Sequence, residues 1–175
     1  GQIKENEYKV IRNVFSFMEK DAKEIMTHRK NIVALDGEQS LEEVVRFASE
    51  ANNSRFPVYK DDIDNITGII HIRDMMKCYL KPELRKCKIN ELTDWLMPAS
   101  FIPETRKINL LFMQMKAKQV HMAIVIDEYG QTAGLVAMED IIEEIMGSIR
   151  DEFDEEEEMI KSVADGTFRY AWDCI

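Results

Sequence analysis

This 175-residue sequence has little of what several function classes require. Its three cysteines, Cys78, Cys87 and Cys174, are odd in number and form no CxxC pair. That argues against a disulfide framework or a thiolate zinc site and fits a reducing compartment. No apolar run approaches the roughly 18–20 residues needed to cross a bilayer, and the opening GQIKENEYKV lacks the basic and apolar regions of a signal peptide. With the acidic run at 151–158 set aside the chain is still mildly acidic, so an extended nucleic-acid-binding face, which needs clustered Lys and Arg, is not expected. There is no Gly-rich phosphate loop, no nucleophile elbow and no metal-ligand spacing; His28, His71 and His121 stand far apart. No basic amphipathic helix suggests lytic insertion. An enzyme or a membrane-active toxin is therefore the least supported class.

What is present is enough for one or two compact units, with 45% apolar residues. The formal net charge is −10, and DEFDEEEE at 151–158 carries seven of the negatives. Such a run reads as a solvated segment; the competing reading is magnesium chelation by its carboxylates. The methionines at helical spacing (Met113, Met115, Met122) read as core filler, as do Phe47, Phe112, Trp95 and Trp172.

The informative feature is a repeat. RFPVYKDDIDNITGIIHIRDMM (55–76) aligns without a gap on HMAIVIDEYGQTAGLVAMEDII (121–142) at an offset of 66, bringing Gly68 to Gly134 and Asp74 to Asp140. Upstream, ALDGEQSL (34–41) aligns on FIPETRKI (101–108) at an offset of 67, and a one-residue length change in the intervening helix would explain the shift. A register held this long points to duplication.

Each copy reads in one order. An extended piece (NIVALD, SFIPE) leads to a helix with apolar residues three and four apart: Leu41, Val44, Val45 and Ala48, then Ile108, Leu111, Phe112 and Met115. Ser40 and Glu43 fit a capping box. A strand (RFPVY, MAIVI), a turn (DDIDN, DEYGQ), a second strand (ITGIIHI, TAGLVAM) and a helix starting at Asp74 or Asp140 complete the unit. The apolar strands suggest burial on both faces. Outside the copies, Ile11, Val14, Phe15 and Met18 share a helical face within 5–21, and Asp165-Gly166 makes a turn near the end that reads as the start of a further domain.

The duplicated strand–turn–strand–helix resembles a pair of cystathionine-β-synthase (CBS) domains. More narrowly, EIMTHR (24–29), 54–76 and HMAIVIDEYGQTAGLVAMEDIIEEIMGSIRDEFD (121–154) resemble the cytosolic part of the CorC/HlyC family, labelled hemolysin-like and magnesium/cobalt efflux. The resemblance implies an α/β (α+β) fold of tandem CBS domains, each a small sheet packed by two helices and related by a pseudo-two-fold axis. The expected division is an N-terminal helix and linker at 1–23, a first domain at 24–84, a second at 85–150, and an acidic linker with a truncated C-terminal domain at 151–175. It also implies a homodimer, a membrane transport domain in the full-length protein, and a soluble fragment at the cytoplasmic face of the cell membrane.

The implied ligand is an adenine nucleotide, AMP or ATP, with or without Mg2+. Asp74 and Asp140, at strand-to-helix junctions, can accept two hydrogen bonds from ribose hydroxyls; helix capping is the alternative use for an Asp there. Gly68 and Gly134 let a ligand or a neighbouring backbone approach closely. For the second-copy site the resemblance names Thr27, Met122, Ala123, Leu135, Ala137 and Asp140; for the first, Phe56, Pro57, Ile69, His71 and Asp74. In the family the position three residues before the Asp is commonly Ser or Thr. Here it is His71 or Ala137, so phosphate grip is weakened at the second site by one hydroxyl contact, roughly 0.5–1.5 kcal/mol. His71 either offers an imidazole to phosphate, more strongly when protonated, or packs between the two modules. Two functions stand open: a nucleotide-sensing regulatory module of a cation-efflux protein, or a dimerisation module without ligand.

Overall fold

The structure is a computed structural model that describes residues 4–9, 11–12, 19–147, 160–161 and 163. The acidic run, the Asp165-Gly166 turn, Trp172, Cys174 and most of the N-terminal apolar face lie outside the described residues. A short helix α1 (Ala22–Ile25) leads into β1 (Thr27–His28) and a 3-10 turn (Arg29–Asn31). The first copy follows as β2 (Leu35–Asp36), α2 (Leu41–Glu50), β3 (Arg55–Lys60), β4 (Asp62–His71) and α3 (Ile72–Tyr79). The second is β5 (Ser100–Pro103), α4 (Ile108–Lys118), β6 (Met122–Ile126), β7 (Thr132–Ala137) and α5, helical from 138 to 147. Of the predicted extended piece NIVALD, only Leu35 and Asp36 form a strand, because only they pair with β3.

Two sheets result, β2-β3-β4 and β1-β7-β6-β5. Each has an outer core against its helices. Leu41, Val44 and Ala48 of α2 and Met75 and Cys78 of α3 meet Phe56, Val58 and Ile70. Leu111 and Met115 of α4 and Ile141 of α5 meet Ala123, Val125 and Val136. A third cluster, Ile66, Ile69, Met122, Ile124 and Leu135, lies on the facing sides of the two sheets and joins the copies. The strands are apolar on both faces because one face meets helices and the other meets the sister sheet. Glu43 accepts the Ser40 amide at 2.8 Å, closing the predicted capping box. Phe47 and Met113, expected in the core, are 53% and 65% exposed. Met113 is two residues from both Leu111 and Met115, about 160° around the helix from each, and so faces away from the buried stripe; Phe47 follows no such opposition and lies at the stripe's edge, next to Ala48.

The predicted repeat register is corrected by one residue. Val58 pairs with Gly68 in the first hairpin and Val125 with Gly134 in the second. β3 and β6 are therefore 67 apart while β4 and β7 are 66 apart. From α2 through β3 the offset never changes, so the extra residue is not in the helix. It lies in the hairpin turn: six residues separate the partners Tyr59 and Ile66, but five separate Ile126 and Thr132. Turns absorb such a change without moving core side chains.

The segment before each copy closes one sheet edge. Thr27 pairs with Leu135 on the second sheet, and Met97 exchanges backbone hydrogen bonds of 2.8 and 2.9 Å with Ile69 on the first. The N-terminal stretch 20–31 therefore packs on the second sheet, where Ala22 joins the core and Lys107 pairs with Asp21 at 2.8 Å.

Candidate functional site

Both helices that carry the repeated Asp begin two residues earlier than the sequence suggests. His71 is the N-cap of α3 and its Nδ1 accepts the Arg73 amide at 3.0 Å, which puts Asp74 at the third helical position. In the second copy Ala137 precedes α5, and its amide donates to Asp140 Oδ2 at 3.2 Å. Neither Asp is itself the N-cap. Instead the pair formed by the residue three before and the Asp has capping-box spacing, in which the third helical side chain reaches back to the cap amide. Ala137 has no side-chain oxygen, so only the returning half of the box exists there.

Capping also decides the chemistry of His71. An Nδ1 that accepts a hydrogen bond carries no proton, so the neutral ring presents Nε2–H as a donor. Burial, and then the neighbouring Arg55 and Arg73, push its pKa below the usual value of 6.5, with His121 adding to the shift and Asp74 opposing it. The imidazole is thus a neutral donor at pH 7, and the protonated form expected to hold phosphate is disfavoured.

The glycines are explained by the linker. A Cβ on Gly134 would lie 2.5 Å from the Thr27 carbonyl oxygen and 2.6 Å from Met26 Sδ; one on Gly68 would lie 3.1 Å from the Met97 carbonyl oxygen. What approaches closely is backbone. Pro98 has no N–H to extend the Met97 contact into a longer ladder.

The predicted residues separate by face. Ile69, Met122 and Leu135 converge in the cluster between the sheets, and Thr27 lies beside Leu135. Phe56 and Ala123 have no exposed surface and point into the helix-side cores, because side chains alternate along a strand. Pro57, opposite Ile69, is also buried.

A cleft of about 220 Å³ opens between the copies. Its apolar lining is Ile69, Met97, Pro98, Val120 and Met122; its polar lining is Arg55, Lys118, Gln119 and His121. It thus joins Ile69 and Met122, which the sequence assigned to different sites. His71 does not line it but stands directly opposite Arg55 in the β3–β4 ladder, and neither Asp74 nor Asp140 is among the lining residues. The Arg55 guanidinium also reaches across to the second copy, with Nη1 3.2 Å from Glu139 Oε1. A larger groove of about 460 Å³ on the other side of the linker is lined by Glu38, Lys60, Thr67, Asn90, Thr93, Leu96, Met97 and Pro98 and contains none of the predicted residues. Among the described residues no group of His, Cys, Asp and Glu is placed to hold a metal ion. No described helix is long and apolar enough to cross a membrane.

Sequence reasoning missed Arg55, Met97, Lys118, His121 and Glu139. Apolar spacing gave no signal for them: Arg55 rather than Phe56 becomes the counterpart of Met122 only once strand pairing corrects the hairpin register.

The profile of the CBS domain matches residues 22–81 and 98–147. UPF0053 protein YugS of Bacillus subtilis is 41% identical over 157 residues, which is 90% of this chain and 35% of that protein. The magnesium and cobalt efflux protein CorC of Vibrio cholerae is 36% identical over 91% of this chain and 54% of its own length. The chain therefore spans between a third and somewhat over half of these curated relatives. The solved CBS domain of a bacterial CNNM/CorC family Mg2+ transporter in complex with ATP has 36% identity and a TM-score of 0.73, over 81% of this chain and 97% of that one. This chain belongs to the CBS-domain family, as a tandem pair of the CorC/HlyC kind.

Proposed function

We propose that this chain is the adenine-nucleotide-sensing regulatory module of a larger divalent-cation efflux protein of the magnesium/cobalt type. The observation that carries the reading is the cleft between the copies, with an apolar floor of Ile69, Met97 and Met122 under a rim holding Arg55 and Lys118. A planar base suits the floor and phosphate oxygens suit the guanidinium and ammonium. At about 220 Å³ the cleft is smaller than the roughly 300–1,000 Å³ of sites that enclose a whole drug-sized ligand. It takes the base and leaves the phosphates, with any accompanying Mg2+, at the rim.

Asp74 and Asp140 are the ribose acceptors of this reading, one per copy. At Asp140 the Ala137 amide occupies Oδ2 and leaves Oδ1 for a hydroxyl. The ATP complex of the 36% identical relative supports the ligand class. The efflux names of relatives such as CorC support an attached membrane transport domain and a place at its cytoplasmic face. A ligand shifts such a transporter only by binding one arrangement of the pair more tightly than another. A second copy of the chain is the partner for the quasi-equivalent exposed residues Met76 on α3 and Ile142 on α5.

The competing reading, a dimerisation module without ligand, draws on Ala137, which offers no hydroxyl to a phosphate. Calorimetric titration with ATP, ADP, AMP and adenosine, with and without magnesium, separates the two. Binding that weakens in Asp74→Ala or Asp140→Ala supports sensing, and no binding of any of them at millimolar concentration ends it. Phosphate release above background would instead make the chain a hydrolase.

A further inference from the structure

Arg55 begins β3 of the first copy and Glu139 lies in the first turn of α5 of the second, so their ion pair is a bond between the copies. Arg55 also lines the cleft. Its contact with Glu139 is single, Nη1 to Oε1 at 3.2 Å, so the fork that grips carboxylate or phosphate with two parallel bonds is not fully used. The Arg55 side chain is 21% exposed and that of Glu139 is 64% exposed. The cation is therefore held in the wall while the anion that pairs it is largely solvated and cheap to release.

The duplication makes this contact one-sided. In the corrected register the counterpart of Arg55 is Met122 and that of Glu139 is Arg73, and a thioether with a guanidinium makes no ion pair. Only one diagonal of the pseudo-two-fold carries a charge link, and it is the diagonal at the cleft.

We infer that Arg55 is shared between Glu139 and the phosphates of the ligand, so that an anionic nucleotide in this cleft opens the Arg55–Glu139 link between the copies. The inference rests on the nucleotide reading of the cleft and adds how occupancy is signalled. A phosphate and the Glu139 carboxylate compete for one guanidinium, so the arrangement that keeps the ion pair binds phosphate more weakly by the same factor by which phosphate weakens the pair. Adenosine uses the same floor and has no group that competes. The cleft then reports phosphate charge, and the released element is the first turn of α5.

The test is a double-mutant cycle read with two ligands, ATP and adenosine, by calorimetry on the chain as it stands. Glu139→Gln should tighten ATP by about two- to fivefold, the range an exposed ion pair supports, and leave adenosine unchanged. Arg55→Gln should weaken ATP more than adenosine, and Glu139→Gln should have no further effect on ATP in that background. ATP binding that is unaltered or weakened in Glu139→Gln, or an equal change for both ligands, overturns the shared-arginine inference while leaving the nucleotide reading standing. Absence of binding of either ligand to the unaltered chain overturns both.

Discussion

Asp64 of the first copy and Thr132 of the second are tied across the seam. The Thr132 amide donates to Asp64 Oδ1 at 3.0 Å, and the Thr132 hydroxyl donates to the neighbouring Ile63 carbonyl at 2.8 Å. Arg29, just beyond β1, closes the group: its Nη2 reaches Asp64 Oδ2 at 3.2 Å, its Nη1 pairs with Asp64 Oδ1, and Nη1 donates to the Thr132 carbonyl at 3.0 Å. The N-terminal linker, the first sheet and the second sheet meet at one carboxylate.

Thr132 is 2% exposed, so its hydroxyl bond to Ile63 is made away from water. Thr132→Val keeps the volume and removes the donor, leaving a part-buried carbonyl without that partner. A loss of about 1–3 kcal/mol is expected in urea unfolding. A loss under about 0.5 kcal/mol would mean that the bond does not hold the seam.

The Arg29 hydrogen bond holds the Asp64 carboxyl below its ordinary value of 3.8, helped by the Thr132 amide and opposed by desolvation. As pH falls, the unfolded chain takes up this proton first and the folded chain later. Between the two values the unfolded state binds more protons, so stability is lost as pH drops through and below 3.8 and is fully present above it. The Glu38 carboxyl, lowered from 4.5 by its hydrogen bonds from Lys88 and Asn90, acts in the same direction. Asp64→Asn should flatten the acid limb of a stability–pH curve measured from pH 6 to 2. A variant curve parallel to the parent's would remove Asp64 from the account.

Gly134→Ala places its Cβ against backbone, 2.5 Å from the Thr27 carbonyl oxygen, whereas Gly68→Ala meets the Met97 carbonyl oxygen at 3.1 Å. The first must push β1 off the sheet edge; the second requires a shift of a few tenths of an ångström. Gly134→Ala should cost about 1–3 kcal/mol and expose the Thr27 and Leu135 amides to hydrogen exchange, with Gly68→Ala clearly milder. Equal effects would count against close backbone approach as the reason for glycine at 134.

The two caps differ and so should their variants. His71→Ala removes the imidazole acceptor from the Arg73 amide and should destabilise α3 by about 0.5–2 kcal/mol. Ala137→Ser supplies the missing half of the box with Asp140 and should stabilise by about 1 kcal/mol. Thermal unfolding of both variants reads the signs; a destabilising Ala137→Ser would show that residue 137 does not act as a cap.

Much of this molecule was legible without coordinates. Two strands, a turn and flanking helices per copy follow from apolar spacing, and the doubling follows from self-similarity. The capping box of Ser40 and Glu43 and the buried stripe Leu41, Val44 and Ala48 are local properties, set within one or two turns of chain, and short-range patterns report them well. The family pattern located the Asp positions, although the helices start two residues earlier than the apolar pattern suggests, right after His71 and Ala137.

Other features depend on which segments meet. A one-residue difference inside a polar turn leaves no mark on apolar spacing, so pairing of β3 with β4 was needed to place Arg55 opposite His71 and beside Met122 in the cleft. The closing of each sheet by a linker, the Arg29–Asp64–Thr132 junction and the Arg55–Glu139 bond join residues 28 to 108 positions apart, from Ile69–Met97 to Thr27–Leu135. Two similar units, their elements and the residues buried against their own helices follow from local periodicity and can be read along the chain. How the units face one another and which charges meet between them follow from packing between distant segments, which no short stretch encodes.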